Sequence, residues 1–148
     1  MNIEDASTIE QTEIRSLVNE RLKALRAKDV TKLITGYLPG VLSYDVIGPL
    51  EYNGSAAMKN RLEEWFATFL GPIGFDISEL CIAAGLDVAF QYCLNHVSAT
   101  KTDGSKLDMW WRETIGYKKI NGEWIITHQH SSVPFDVTSG KASVGLQP

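Results

Sequence analysis

The feature that most constrains this chain is a change of hydrophobic period at Gly71-Pro72. Before it, apolar residues recur at helical spacing; after it, they alternate. Ile14, Leu17, Val18, Leu22 and Leu25 predict an amphipathic helix over about residues 8–27. Asp29 is placed to cap a second, with Val30, Leu33, Ile34, Tyr37 and Leu38 on one stripe and Pro39-Gly40 ending it. A short strand follows over Val41–Val46, and Ser55 opens a third helix carrying Met58, Leu62, Trp65, Phe66 and Phe69 inward. Segments 75–83, 87–100, 107–120 and 123–135 then read as strands, with turn signals at Ala84-Gly85, Asp103-Gly104 and Asn121-Gly122. Helices first and antiparallel strands after predict an α+β fold, with three N-terminal helices packed on a strongly curved, mainly antiparallel sheet. The uncovered face of such a sheet needs a second cover, which favours a homodimer.

A chain of 148 residues is most economically one domain. We place that domain over residues 1–136, with a Gly/Ser/Lys-rich polar tail over 137–148. A net charge of −4, without any run of Lys or Arg, argues against nucleic acid or an anionic membrane as a partner. Cys81 and Cys93 sit in apolar strand segments without metal spacing and read as buried thiols. The N-terminal Met-Asn-Ile-Glu-Asp lacks the apolar core of a secretory signal, and no apolar run approaches membrane length. A cytoplasmic protein is the expectation.

The last hairpin gathers three of the four Trp and two of the three His, together with Arg112 and Glu113. With Asn121-Gly122 as a two-residue turn and no bulge, Glu113 faces His130 and Ile115 faces His128. A Glu opposite a His would form a carboxylate–imidazole pair suited to acid/base work. A one-residue slip would exchange the side chains that look inward, and curved sheets often carry bulges. His128 and His130 are thus either site residues or hydrogen-bonded structural residues of an interface. Chelation would need three or four ligands, and His96, Glu113 and Asp45 are the only further candidates, at no recognised spacing; no metal and no cofactor is expected. Trp65, Phe66, Phe69, Trp110 and Trp111 are either the floor of an apolar pocket or plain core. Arg112 could clamp a carboxylate or pair with an acid across the sheet. Tyr37, Tyr92, Asn95, Gln129 and Ser131 are polar groups able to orient a ligand.

The order helix-helix-strand-helix and four long strands resembles the cone-shaped nuclear-transport-factor-2-like fold. Two motif sets sharpen the resemblance. Asp29, Asp45 and Gly54 resemble a steroid Δ-isomerase pattern, in which an Asp lies sixteen residues before the catalytic Asp and a Gly nine after it. Gly122-Glu123-Trp124 with His128-Gln129-His130-Ser131-Ser132 resembles the association domain of calmodulin-dependent protein kinase II. Over about residues 9–135 the chain is thus similar to SnoaL-like and ketosteroid-isomerase-like proteins. The isomerase likeness implies that Asp45 is a general base; the bland alternative is an edge or capping Asp. It also implies an oxyanion hole from a first-helix Tyr, whose place is taken by Arg21, and a late-strand carboxylic acid, which falls near Glu113 or Thr114. A true steroid isomerase is therefore not expected. In the association domain the positions of Asn95, Ile115 and Ser131 line the pocket and carry Arg. That alignment turns His128 and His130 to the convex side.

These readings converge on a small, largely apolar organic ligand held in the cone. Asp45, Glu113 and His130 are the candidate catalytic groups, and Tyr37, Trp65, Phe69, Tyr92, Asn95, Trp111, Arg112, His128, Gln129 and Ser131 the candidate binding groups. The expected chemistry is that of a cofactor-free isomerase or lyase. The alternative is a non-catalytic ligand-binding or oligomeric assembly module.

Overall fold

The computed structural model describes residues 8–148, so the reading of Met-Asn-Ile-Glu-Asp lies outside the described residues. The elements run α1 (Ile9–Arg26), α2 (Val30–Thr35), β1 (Tyr37–Tyr44), β2 (Tyr52–Asn53), α3 (Ser55–Ala67), β3 (Gly74–Ala84), β4 (Val88–Thr100), β5 (Lys106–Ile120) and β6 (Glu123–Ser132). One sheet of six strands has the order β2-β1-β6-β5-β4-β3. All neighbours are antiparallel except β1 and β6, and the helices lie against one face.

Local chemistry sets the helix starts. Thr8 and Gln11 form a reciprocal capping box at α1, and the Asp29 side chain accepts from the Lys32 amide at α2. The second helix is shorter than its apolar stripe suggests. It ends at Thr35 with Gly36 as C-cap, and Tyr37 already belongs to β1. Pairing with β6 wins over helix propagation here: the Ile126 amide donates to Gly36 O at 2.9 Å. Pro39-Gly40 then fall within an irregularity of β1, between the pairs Tyr37↔Ile126 and Leu42↔His128.

The interior divides into two apolar clusters. One joins Ile14 and Val18 of α1 to Val41, Met58, Ile115, Trp124 and Ile126. The other joins Leu25, Leu33, Leu62, Phe66, Phe69, Phe75 and Val97. Polar ties fix α1 across the sheet: Trp124 Nε1 and Lys119 Nζ both donate to Glu13 Oε2, at 2.7 and 3.1 Å. Gln11 Nε2 donates to Ile82 O of β3 at 3.0 Å.

The β5–β6 hairpin corrects the bulge-free register. Its turn is as expected, with Asn121 and Gly122 both at positive φ, and pairs from Ile120↔Glu123 to Tyr117↔Ile126 follow it. Between Gly116 and Tyr117 the register shifts, leaving Thr127 as an extra residue. From there on Gly116 pairs with His128, Ile115 with Gln129, Thr114 with His130 and Glu113 with Ser131. Every side chain of β6 beyond the bulge therefore sits on the opposite face from that given by an unbroken ladder.

Candidate functional site

Between the two clusters lies a cavity of about 120 Å³. Leu62 and Trp65 from α3, Phe75 from β3, Val97 from β4, and Met109 and Trp111 from β5 form its apolar wall. Trp65 meets Trp111 edge-on at 6.2 Å between ring centroids, and Phe75 meets it at 5.6 Å. Its polar lining comes from Arg21 on α1, Tyr37 and Ser43 on β1, Glu113 on β5, and Gln129 and Ser131 on β6. Asp45, Val46 and Arg61 complete it. An apolar wall with a few convergent polar groups is the usual make-up of a small-molecule site.

The polar groups form a directed chain. Tyr37 OH donates to Gln129 Oε1 at 2.7 Å, and Gln129 Nε2 donates to Glu113 Oε2 at 2.8 Å. Ser131 Oγ adds a longer contact to the same oxygen at 3.4 Å. Among the described residues no donor bonds Glu113 Oε1. A carboxylate oxygen that already accepts two donors has less free lone-pair capacity than its open partner. Glu113 is buried, and its Oε1 is the carboxylate oxygen left open towards the cavity that the residue lines.

Arg21 is half-buried, and its guanidinium lies over the Tyr37 ring, 5.3 Å from the centroid. Burial opposes its charge, yet the Tyr37, Glu113 and Tyr117 side chains outweigh burial and raise its pKa, so it stays cationic. Conversely, burial pushes the Tyr37 and Tyr117 phenols up. Burial also pushes the Cys93 thiol up to about 12, with the Glu113 carboxylate adding to it. Arg21 also borders a more open groove of about 610 Å³ between α1, α2 and the β5–β6 hairpin.

Asp45 lines the cavity with both oxygens engaged: Oδ1 accepts from the Val46 amide at 2.6 Å, and Oδ2 from Arg61 Nε at 2.9 Å. The Asp45–Arg61 pair is largely shielded from solvent, at 18% and 14% side-chain exposure. Arg61 reaches Asp45 from the inner stripe of α3, beside Met58, Leu62 and Trp65.

Tyr37, Asp45, Trp65, Trp111, Glu113, Gln129 and Ser131 thus meet at one cavity. The remaining candidates lie elsewhere. His130 does not face Glu113; it pairs with Thr114, is exposed, and its ring meets Tyr44 at 5.3 Å. His128 lies on the same convex face, its ring nitrogen Nδ1 2.8 Å from Leu42 O. The bulge at Thr127 is the reason for both. Tyr92 is half exposed on that face and stacks on Phe90. Arg112 is exposed and off the cavity lining, and among the described residues no acid pairs with it; its Nε donates to Ser132 Oγ at 3.1 Å. Phe69 belongs to the second apolar cluster, outside the cavity lining. Asn95 is 1% exposed and accepts from the Cys93 thiol, also off the lining. Sequence reasoning missed Arg21 and Arg61 as site residues. The signal was present: Ile14, Val18, Arg21 and Leu25 share one helical stripe, so Arg21 interrupts an apolar face. Among the described residues no cluster of His, Cys, Asp or Glu could hold a metal ion, and no helix is long and apolar enough to cross a membrane.

The SnoaL-like domain family matches residues 14–136. The chain belongs to the SnoaL-like family. Among solved structures, this SnoaL-like chain is 30% identical to an NTF2-like protein of unknown function from Pseudomonas putida KT2440. The alignment covers 93% of this chain and 95% of that one, with a TM-score of 0.83. A putative calcium/calmodulin dependent protein kinase II association domain from Xanthomonas campestris is 21% identical, over 93% and 99% of the two chains, at a TM-score of 0.74. A ketosteroid isomerase-like protein from Erwinia carotovora atroseptica SCRI1043 is 18% identical, over 82% and 93%, at 0.69. The latter two show that the SnoaL-like chain shares their fold. No curated protein matches it in sequence.

Proposed function

We propose that this SnoaL-like protein binds a small, largely apolar carbonyl compound in the cavity and moves a proton on it, as an isomerase- or lyase-like catalyst without a cofactor. The observation that carries this reading is the state of Glu113. It is a buried carboxylate whose Oε2 is fixed by Gln129 and Ser131 and whose Oε1 is bonded by no described donor. Such a group is oriented before any ligand arrives, which lowers the cost of reaching the reactive geometry. Oε1 takes a proton from carbon beside the carbonyl, the C–H electron pair moves into the carbonyl system, and the same oxygen returns the proton elsewhere on the ligand. No other reactant is needed. Asp45, occupied by Val46 and Arg61, serves as a polar anchor rather than as the base. Trp65 and Trp111, in edge contact with each other, form the wall against which the apolar body of the ligand rests.

The test is hydrogen–deuterium exchange in D₂O with a panel of small ketones, enones and unsaturated acids, read by mass spectrometry. The wild-type chain should accelerate exchange on at least one compound, and Glu113→Gln should lower that rate by about 10²–10⁴-fold, the usual value of one positioned base. Exchange that proceeds unchanged in Glu113→Gln would remove Glu113 from the role.

A second reading concerns assembly. The convex face exposes Phe90 and Tyr92, and carries His96 stacked on Trp110 at 4.4 Å. We infer that a second copy of the chain covers this face, giving a homodimer. That association is compatible with catalysis, and also with a binding or assembly role should no exchange be found.

A further inference from the structure

We propose that the ligand is a small monocarboxylate, and that Arg21 holds its carboxylate group. This deepens the pocket reading and rests on it. Three observations lead there. First, Arg21 breaks the buried stripe of α1 and brings a cation to the lining of an otherwise largely apolar cavity. Second, that cation has little to bind within the protein. Among the described residues it makes no ion pair within 4.0 Å, and its guanidinium lies over the Tyr37 ring, 5.3 Å from the centroid. A guanidinium has five N–H donors; Glu113 and the tyrosines keep this one charged, yet none of them stands at ion-pair distance, so most of its fork is open to an anion. Third, three polar neighbours already donate to one another rather than to a ligand: Tyr37 to Gln129, and Gln129 and Ser131 to Glu113.

The third point selects the anion. One planar fork satisfies the two oxygens of a carboxylate. A phosphate presents three oxygens and close to two charges, whereas among the described residues the lining offers one cation, Arg21, without an ion-pair partner within 4.0 Å. Arg61 is no substitute, because Asp45 neutralises it. The volume bounds the rest of the molecule. A cavity of about 120 Å³ compares with the roughly 150 Å³ of a dry cavity that accepts benzene. The body is therefore a short unsaturated chain or a single ring, lying against the wall that Trp65 and Trp111 share, with its reacting carbon towards Glu113 Oε1.

Calorimetric titration of the full chain with two matched pairs tests this: benzoate against benzamide, and crotonate against crotonamide. The acid of at least one pair should bind about 10- to 100-fold more tightly than its amide, as expected for a hydrogen bond to a charged group. Arg21→Gln should bring the two to similar affinity, and Arg21→Lys, which keeps the charge but not the fork, should lie between. Should Arg21→Gln not fold, the Arg21→Lys comparison carries the test. Amides that bind as well as the acids would overturn the carboxylate assignment while leaving the pocket reading intact. A preference for acids that persists in both variants would overturn the role of Arg21. Binding of none of the four would overturn both the assignment and the pocket reading.

Discussion

Glu113 and Arg21 show how differently two charged residues of one cavity can be read from sequence. Glu113 stood out as a carboxylate alternating with Trp111 and Ile115 on a strand, but which face of that strand looks inward is set only by the fold. Arg21 was visible as the residue standing where a phenol is expected, but its inward aim follows only from counting Ile14, Val18 and Leu25 along the helix. The pair acts on three neighbours. Tyr37, Tyr117 and Cys93 are buried beside them, and burial raises the pKa of each, that of Cys93 to about 12. Unfolding lets these groups ionise at their ordinary values of 10.0, 10.0 and 9.0. Above about pH 9 the native state therefore holds more protons than the unfolded one, and stability falls as pH rises. Below that value the three groups add no pH dependence. Urea denaturation between pH 7 and 10.5 should show the midpoint falling from about pH 9, each group contributing at most about 1.4 kcal/mol per pH unit. Cys93→Ala should flatten the early part of that decline. A midpoint constant to pH 10.5 would contradict the burial of these groups.

At the scale of elements, the account turns on one extra residue. The Asn121-Gly122 turn was legible, and so was the ladder next to it. The bulge at Thr127 was not, since Thr127 is an ordinary strand residue without positive φ and its role is to bend a sheet around helices. That bend lets Gln129 and Ser131 reach Glu113 while His128 and His130 turn to the convex side. The early end of α2 has a similar cause: Tyr37 continues the helical stripe, yet strand pairing with Ile126 takes it. The turn itself can be tested. Gly122 has φ +80 with no neighbouring atom in the way, so Gly122→Ala is strained by conformation alone. It should cost about 1–2 kcal/mol, read as a lower denaturant midpoint with an unchanged slope. A loss below a few tenths would mean that the turn is not held in this conformation.

For the molecule as a whole, the switch of period at Gly71-Pro72 carried most of the fold, because it separates the three helices, with the short β1 and β2 among them, from the four long strands of the sheet. The position of the cavity did not follow from it. The cavity lies between two apolar clusters that only the folded chain defines, and its polar lining draws on α1, β1, β5 and β6 together. The proposed dimer belongs to this scale. Light scattering on the eluting protein should give twice the mass of one chain. Tyr92→Glu with Phe90→Lys should yield monomers, because both side chains are exposed on the convex face. A wild-type monomer would contradict that assembly and leave the cavity reading untouched. The cavity is tested most directly by a crystal structure of the protein purified from cells without added ligand, read for density near Glu113. The proposed function predicts density for a small flat molecule against Trp65 and Trp111, within hydrogen-bonding distance of Arg21 and of Glu113 Oε1. A cavity closed by its own side chains, with Glu113 Oε1 bonded to a protein donor, would contradict it.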